Sequence, residues 1–451
     1  MELTKAPSLP EFDPVSEGRG GRAEELRVAV LPFANLSADT SQDYFCDGIA
    51  VELLLSLTRT PGLSAVSRTA VFALKDKNLG PLEAGRVLGA SAVLCGAVKS
   101  ADSRLEIRVE LLDVSSGRVL WSEQFDRDHL DVFVVQDQIT SAVLEALNPT
   151  QGRERSRSIE SIHSGSPAAF EHYLQGRQLY YRYSRPAIES AVQSFQEAIS
   201  VDATYALAFC GLADCYSYLY LYVDSSSVFQ EKALDASGHA LELDRDLAEA
   251  WASRGLALSL TGDYDASESA FETAIRLDVS LFEARFLYAR VCFSQGKMDE
   301  AARLFEEANQ VRPEDYQSLL LAAQAIDDLG EKTRAAELRI RGVLAAHAHL
   351  QLDPKATRAL YLGANGLFQL GEDKRAVQWL RKALALEPNE PMLLYNAGCI
   401  YALMGRTNRA LDCLERAAEA GLRQLGWFEN DNNLDSLRGN PRFESLLDRL
   451  I

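Results

Sequence analysis

An α/β sandwich, with helices on a mostly antiparallel sheet, followed by an all-α superhelical solenoid is the fold this sequence predicts. Three observations carry it. Trp251, Arg285 and Leu319 begin equivalent stretches 34 residues apart, and after one step of 41 the frame resumes at Leu360 and then Leu394. Residues 26–149 lack that period and show short β-branched and alternating runs between helical patterns. Between the two lies 150–166, a polar stretch containing Arg153, Arg155 and Arg157, which reads as a solvated linker.

The elements follow in chain order. Residues 1–25 combine Pro, Gly and charge without the apolar core of a signal peptide, so a disordered leader is expected. A strand is predicted over 27–33, a helix over 44–59, a second strand over 63–72, and a short helix over 82–88 closed by Gly89. Three strands follow at 92–98, 105–112 and 119–125. In the middle one Leu105, Ile107, Val109 and Leu111 alternate with Glu106, Arg108 and Glu110, the period of a sheet with one wet face. Trp121 is expected to be a core aromatic of this hairpin. A helix over 130–147 places Val135, Ile139, Val143 and Leu147 on one stripe.

From 167 to 420 the chain reads as about seven helix pairs. Each carries small residues where its helices cross and a glycine between them, such as Gly262, Gly296, Gly330, Gly371 and Gly405, to permit a left-handed backbone. No single pair can bury its own apolar face, so stacking is required, and a solenoid with one concave face results. Two early pairs carry three and ten extra residues, and the tyrosines Tyr180, Tyr181, Tyr183, Tyr216, Tyr218, Tyr220 and Tyr222 fall there. Packing of this region against the amino-terminal domain is the expectation. Residues 421–451 read as a carboxy-terminal helical cap.

This spacing and residue pattern resembles the tetratricopeptide repeat. The blocks Ala29-Val30-Leu31-Pro32-Phe33-Ala34-Asn35-Leu36-Ser37, Tyr44-Phe45-Cys46-Asp47-Gly48-Ile49, Ser67-Arg68-Thr69, Leu120-Trp121-Ser122 and Phe133-Val134-Val135-Gln136-Asp137 resemble the bacterial TolB-like amino-terminal domain. The resemblance implies an arrangement in which such a domain and its repeats are joined to an output module: an adenylate cyclase, a Ser/Thr kinase or a winged-helix regulator. About 25 residues precede the first strand here, too few for such a module, so the chain is expected to be the sensor or adaptor half alone.

Composition narrows the function classes. With 46 Lys and Arg against 65 Asp and Glu, the net charge is −19, which disfavours nucleic acid and anionic membranes as partners. No apolar run approaches the ~18 residues a membrane helix needs. Cytoplasmic residence is the default expectation, and seven cysteines without a C-x-x-C pair suit a reducing compartment. There is no phosphate-cradling G-x-x-x-x-G-K-[ST] loop, no kinase set and no G-x-S-x-G. No enzyme activity, cofactor or metal is expected, and His347 and His349 read as packing or solvated residues of a seven-residue insertion.

The expected function is a non-catalytic adaptor or scaffold in bacterial signalling that binds a protein or peptide partner, such as a kinase, cyclase or transcription factor, in the solenoid groove. In this repeat type the groove-lining positions place Glu249, Glu283, Phe286, Arg290, Phe293, Gln317, Gln324, Asp327, Asp328, Arg358, Tyr361, Asn365, Phe368, Met392 and Tyr395 there. Aromatic and polar groups mixed in this way suit an extended or helical peptide. The alternative is a small-molecule sensor or enzyme accessory using the α/β domain around Asn35, Ser37, Asp39, Asp47 and Arg68.

Overall fold

The structure, a computed structural model, describes residues 27–37, 43–58, 63–66, 68–77, 79–101, 104–128, 132–147, 166–224 and 226–450. The predicted leader, most of the predicted linker, and Asp39 lie outside them. The described chain is mostly helical, with a small mixed sheet region near its start, and it divides into two compact units. One takes the described residues up to Cys215 together with 235–250, and the other takes 216–234 and the described residues from Trp251 onward.

Strands β1 (Arg27–Val30), β2 (Ala34–Asn35), β3 (Ser64–Ala65), β4 (Ala92–Ala101), β5 (Arg104–Asp113) and β6 (Val119–Asp128) form a sheet of order β3-β1-β4-β5-β6, with β2 beside β4. The sheet is mixed: β1 runs parallel to β3 and β4 and β2 runs parallel to β4 over two or three residues each, while the long β4-β5-β6 meander is antiparallel, so most of the pairing has the expected direction. β1 stops short of the predicted Phe33 because Pro32 has no amide to extend the ladder. The strand predicted over 63–72 is corrected. Its pairing lasts two residues, Arg27 to Ser64 and Val28 to Ala65, and Arg68–Phe72 then forms a helix, α2. Val71 and Leu74, three apart and both buried, follow the helical period that the β-branched composition concealed.

Helices α1 (Asp43–Thr58), α3 (Pro81–Val87) and α4 (Val132–Leu147) complete this region. Ile49, Leu53 and Leu57 of α1 and Val135, Ile139 and Val143 of α4 are buried, as are Leu105, Ile107, Val109 and Leu111 of β5, so the predicted alternation faces the core and so does the stripe up to Leu147, which is half-buried. Gly96 matters at one crossing, because a Cβ there would meet the Arg108 carbonyl oxygen at 2.6 Å and the Phe33 ring at 2.8 Å.

Consecutive helices then pair. They are α5 (Pro167–Tyr180) with α6 (Arg185–Val201), α7 (Ala206–Tyr222) with α8 (Ser227–Leu243), α9 (Ala248–Ser259) with α10 (Tyr264–Leu277), and α11 (Phe282–Ser294) with α12 (Met298–Val311). After them come α13 (Tyr316–Asp328) with α14 (Lys332–Leu352), α15 (Thr357–Gln369) with α16 (Asp373–Leu386), and α17 (Pro391–Leu403) with α18 (Thr407–Glu419). Gly262, Gly296, Gly330, Gly371 and Gly405 have φ of 78°, 74°, 85°, 81° and 67°, the left-handed turns that the period required. The insertions lengthen helices: α7 and α8 each run 17 residues and α14 runs 21. His347 stacks on Trp379 and His349 lies against Tyr316, both as packing residues.

Candidate functional site

After the last pair the chain turns back along the array at Gly421, whose φ of 111° excludes a side chain without strain. It forms helix α19 (Leu425–Asn430), a 3-10 turn (Asn432–Leu437) and helix α20 (Pro441–Asp448). Phe428, Leu434, Leu437, Phe443 and Leu446 are fully buried in one cluster with residues of α17 and α18. The returning segment lies on the first helices of successive pairs, the face expected to bind a partner. Its Asn430 amide donates to the Ser294 carbonyl of α11 at 3.0 Å, and Ser436 Oγ donates to the Ala402 carbonyl of α17 at 3.2 Å.

Asp431 is the centre of this docking. Burial pushes its carboxyl above the usual range, and donors surround it. Gln324 Nε2 donates at 2.7 Å, Tyr395 OH at 2.9 Å and Cys399 Sγ at 3.5 Å. As N-cap of the 3-10 turn it also accepts from the Asn433 amide at 2.9 Å. Four residues earlier, the Trp427 ring takes the Arg290 guanidinium at 5.2 Å and neighbours Tyr395 and Tyr222. Arg290 also donates to the Tyr222 hydroxyl.

Of the residues predicted to line the groove, the structure brings Arg290, Gln324 and Tyr395 onto the returning segment, and Asp327, Asp328 and Asn365 beside it. Glu283 pairs with Arg312 at 3.2 Å. Phe286 and Phe293 are both buried in the helix core, where Phe286 packs on Phe282 and Phe305. Tyr361 is buried too, Met392 and Phe368 are half-buried against apolar clusters, and Arg358 and Gln317 are half-buried. Glu249 belongs to the other compact unit.

The sequence reading missed the returning segment. Its signal was Trp427-Phe428, an aromatic pair beyond the last repeat, where a plain polar cap would carry none. The tyrosine expectation divides accordingly. Tyr222 packs on Trp427, whereas Tyr181 lies under the Arg68 guanidinium at 4.3 Å.

What remains beside the docked segment is a cavity of about 440 Å³. Its walls include Gln324, Asp327, Asp328, Asn365, Gln369 and Asn396 from the helices, and Asn432, Asn433 and Asp435 from the 3-10 turn. Asp327 is neutralised by Lys332 at 2.7 Å and Arg339 at 3.0 Å, and Asp435 by Arg438 at 3.1 Å. Among the described residues no salt bridge reaches Asp328, and its Oδ2 is buried without a partner. Burial, then the nearby Asp431, push its pKa up to about 7. A carboxyl raised in the folded state adds stability at low pH that is lost as pH rises through about 7. Asp328→Asn is therefore expected to stabilise this unit by ~1–3 kcal/mol at pH 8, after discounting for solvent screening, and by nothing at pH 4. Urea unfolding at both pH values checks this, and equal stabilities at pH 8 contradict it.

The residues of the alternative site are placed differently. Asn35 Nδ2 donates to Asp43 at 2.8 Å and its Oδ1 accepts from the Ser37 amide at 2.8 Å, so both residues are engaged in the turn before α1. Asp47 is buried on α1 and accepts from Lys75 at 2.5 Å and from Gln178 of α5 at 2.7 Å. Burial raises its pKa, while Lys75 and Gln178 oppose the rise. Burial likewise holds thiols protonated: the buried Cys46 is pushed up to about 12 and the half-buried Cys95 to about 11. Among the described residues no cluster of three or more His, Cys, Asp or Glu could hold a metal, and no helix is long and apolar enough to cross a membrane.

Residues 253–310 and 393–420 match the tetratricopeptide repeat family. A protein of Rhizobium meliloti named "Putative adenylate cyclase 3" is 33% identical over 188 residues, which is 41% of this chain and 32% of that protein. Anaphase-promoting complex subunit 3 of Schizosaccharomyces pombe is 24% identical over 204 residues, 45% of this chain and 28% of that protein. The chain thus spans about a third of the length of the curated relatives it matches. A solved human IFIT1 dimer with m7Gppp-AAAA aligns at 15% identity and a TM-score of 0.45, covering 71% of this chain and 74% of that one.

Proposed function

We propose that this protein is a non-catalytic scaffold in bacterial signalling that binds a partner protein on the first-helix face of its repeats. The tetratricopeptide array is a protein-interaction fold, and it carries the coarse reading. The finer reading rests on one observation: the face holds the junction of a short helix and a 3-10 turn through directed hydrogen bonds from Gln324 and Tyr395, and leaves a polar cavity beside it. A surface built that way has the means to recognise another protein's chain. The similarity to a protein named as an adenylate cyclase supports a cyclase-linked pathway as the setting, with a kinase or transcription factor as the other candidate partners.

The test is in-cell cross-linking of the full chain followed by mass spectrometry. Cross-links from one partner that converge on α13, α15, α17 and the 3-10 turn are the expected result. No protein cross-link at that face, together with a small molecule copurifying on residues 27–147, would overturn the reading in favour of a sensor.

A further inference from the structure

Two facts about the cavity beside the returning segment set its chemistry. Its volume, about 440 Å³, is that of a pocket for a side chain or small ligand and not of a peptide groove. Its walls are rich in acceptors. A carboxylate only accepts, so Gln324 must turn its amide nitrogen to Asp431, and its Oε1 remains an acceptor. Gln369 likewise commits its Nε2 to Asn433 at 3.1 Å. Both cations on the wall, Lys332 and Arg339, are spent on Asp327, while Asp328 keeps a buried oxygen that nothing donates to. A buried acceptor left unmade is costly, and a donor-rich cation entering here would satisfy it.

From this arrangement, and resting on the partner-binding reading above, we infer that the cavity is a binding site for a guanidinium or primary ammonium group, received by Asp328 with the amide oxygens around it. The returning segment completes the site, since Asn432, Asn433 and Asp435 form one wall. The group is carried by an arginine or lysine of the partner or by a free amine, and the chemistry is the same. Binding is proton-linked. The charged groups facing Asp328 are Asp327, Asp431, Asp435, Lys332 and Arg339, and Asp328 itself changes charge near neutrality, at about 7. Affinity for a cation should rise about tenfold from pH 6 to pH 8.

The experiment is calorimetric titration of the full chain at pH 8 with four probes: a blocked Gly-Arg-Gly peptide, the matched Gly-Gln-Gly peptide, agmatine and free arginine. Expected is binding of the arginine peptide, none of the glutamine peptide, and at least a tenfold loss in Asp328→Asn. That variant is expected to be more stable than the parent, so the loss cannot be unfolding. Agmatine or free arginine binding more tightly than the peptide supports the same site with a free amine as its ligand. No cation binding by the parent protein, or equal binding by Asp328→Asn, overturns the inference. The scaffold reading stands or falls separately: cross-links on the face that persist in Asp328→Asn preserve it even when the cation site is lost.

Discussion

Replacing Phe428 by alanine is expected to lower the stability of the carboxy-terminal helix array by ~3–5 kcal/mol, the cost of emptying a well-packed aromatic site. The ring is fully buried, meets Tyr395 edge-on with centroids 5.1 Å apart, and shares its cluster with Leu434, Leu437, Phe443 and Leu446. Each such side chain contributes ~1.5–3 kcal/mol by burial. A segment anchored by five of them is a structural wall of the array, and a partner offering one or two anchors cannot displace it. Loss of Phe428 should therefore loosen the whole stretch from Leu425 to Leu437, so that amide exchange accelerates there and in the facing turns of α13 and α17 together. Hydrogen exchange with mass spectrometry reads this by segment, alongside urea unfolding. Faster exchange confined to residues 425–437, with global stability unchanged, would show instead that the segment is a detachable plug.

That distinction explains what the sequence could and could not reveal. A period of 34 and its glycines locate the helix pairs, because the turn chemistry is local: each of the five turn glycines adopts the left-handed backbone its position demands. The alternation in 105–111 and the stripe of α4 are likewise local, and both face the core. Tertiary choices were not legible. Whether 68–72 continues a strand depends on how far β1 can pair, which Pro32 and a two-residue register decide. Phe286 and Phe293 occupy groove-type positions by count, yet apolar rings at those places gain more from burial in the core than from facing water. The returning segment was the largest gap. No repeat arithmetic predicts that Asp431 will be buried against Gln324 from 107 residues away, because that contact depends on the assembled face.

Lys75→Met carries the second large effect, in the other compact unit. Lys75 sits on a short 3-10 turn (Lys75–Lys77) and donates to Asp47, which is 3% exposed and also holds Gln178. Methionine preserves the apolar stem and removes the charge, so Asp47 is left buried with Gln178 as its remaining neutral donor among the described residues. Breaking a buried pair from one side costs more than the pair contributes, and ~2–4 kcal/mol is expected at pH 8, reduced from the fully buried case because Lys75 is partly exposed. The pH dependence follows from the sign of the shift. Burial already holds the Asp47 carboxyl above its ordinary range, and losing Lys75 raises it further. A group raised in the folded state adds stability at low pH and loses it as pH rises, so the deficit of the variant should shrink between pH 8 and pH 5. Adding Asp47→Asn to the same background should recover part of the loss, since the buried carboxylate charge is then gone while the nearby Arg68 loses its counter-charge. Segment-resolved hydrogen exchange over α1 and α5 at the two pH values measures all three proteins. If Lys75→Met proves neutral at pH 8, the pair is not holding α1 to α5. Asp47 and Lys75 then become available for a ligand, and the sensor reading of this unit gains the ground that the structural one loses.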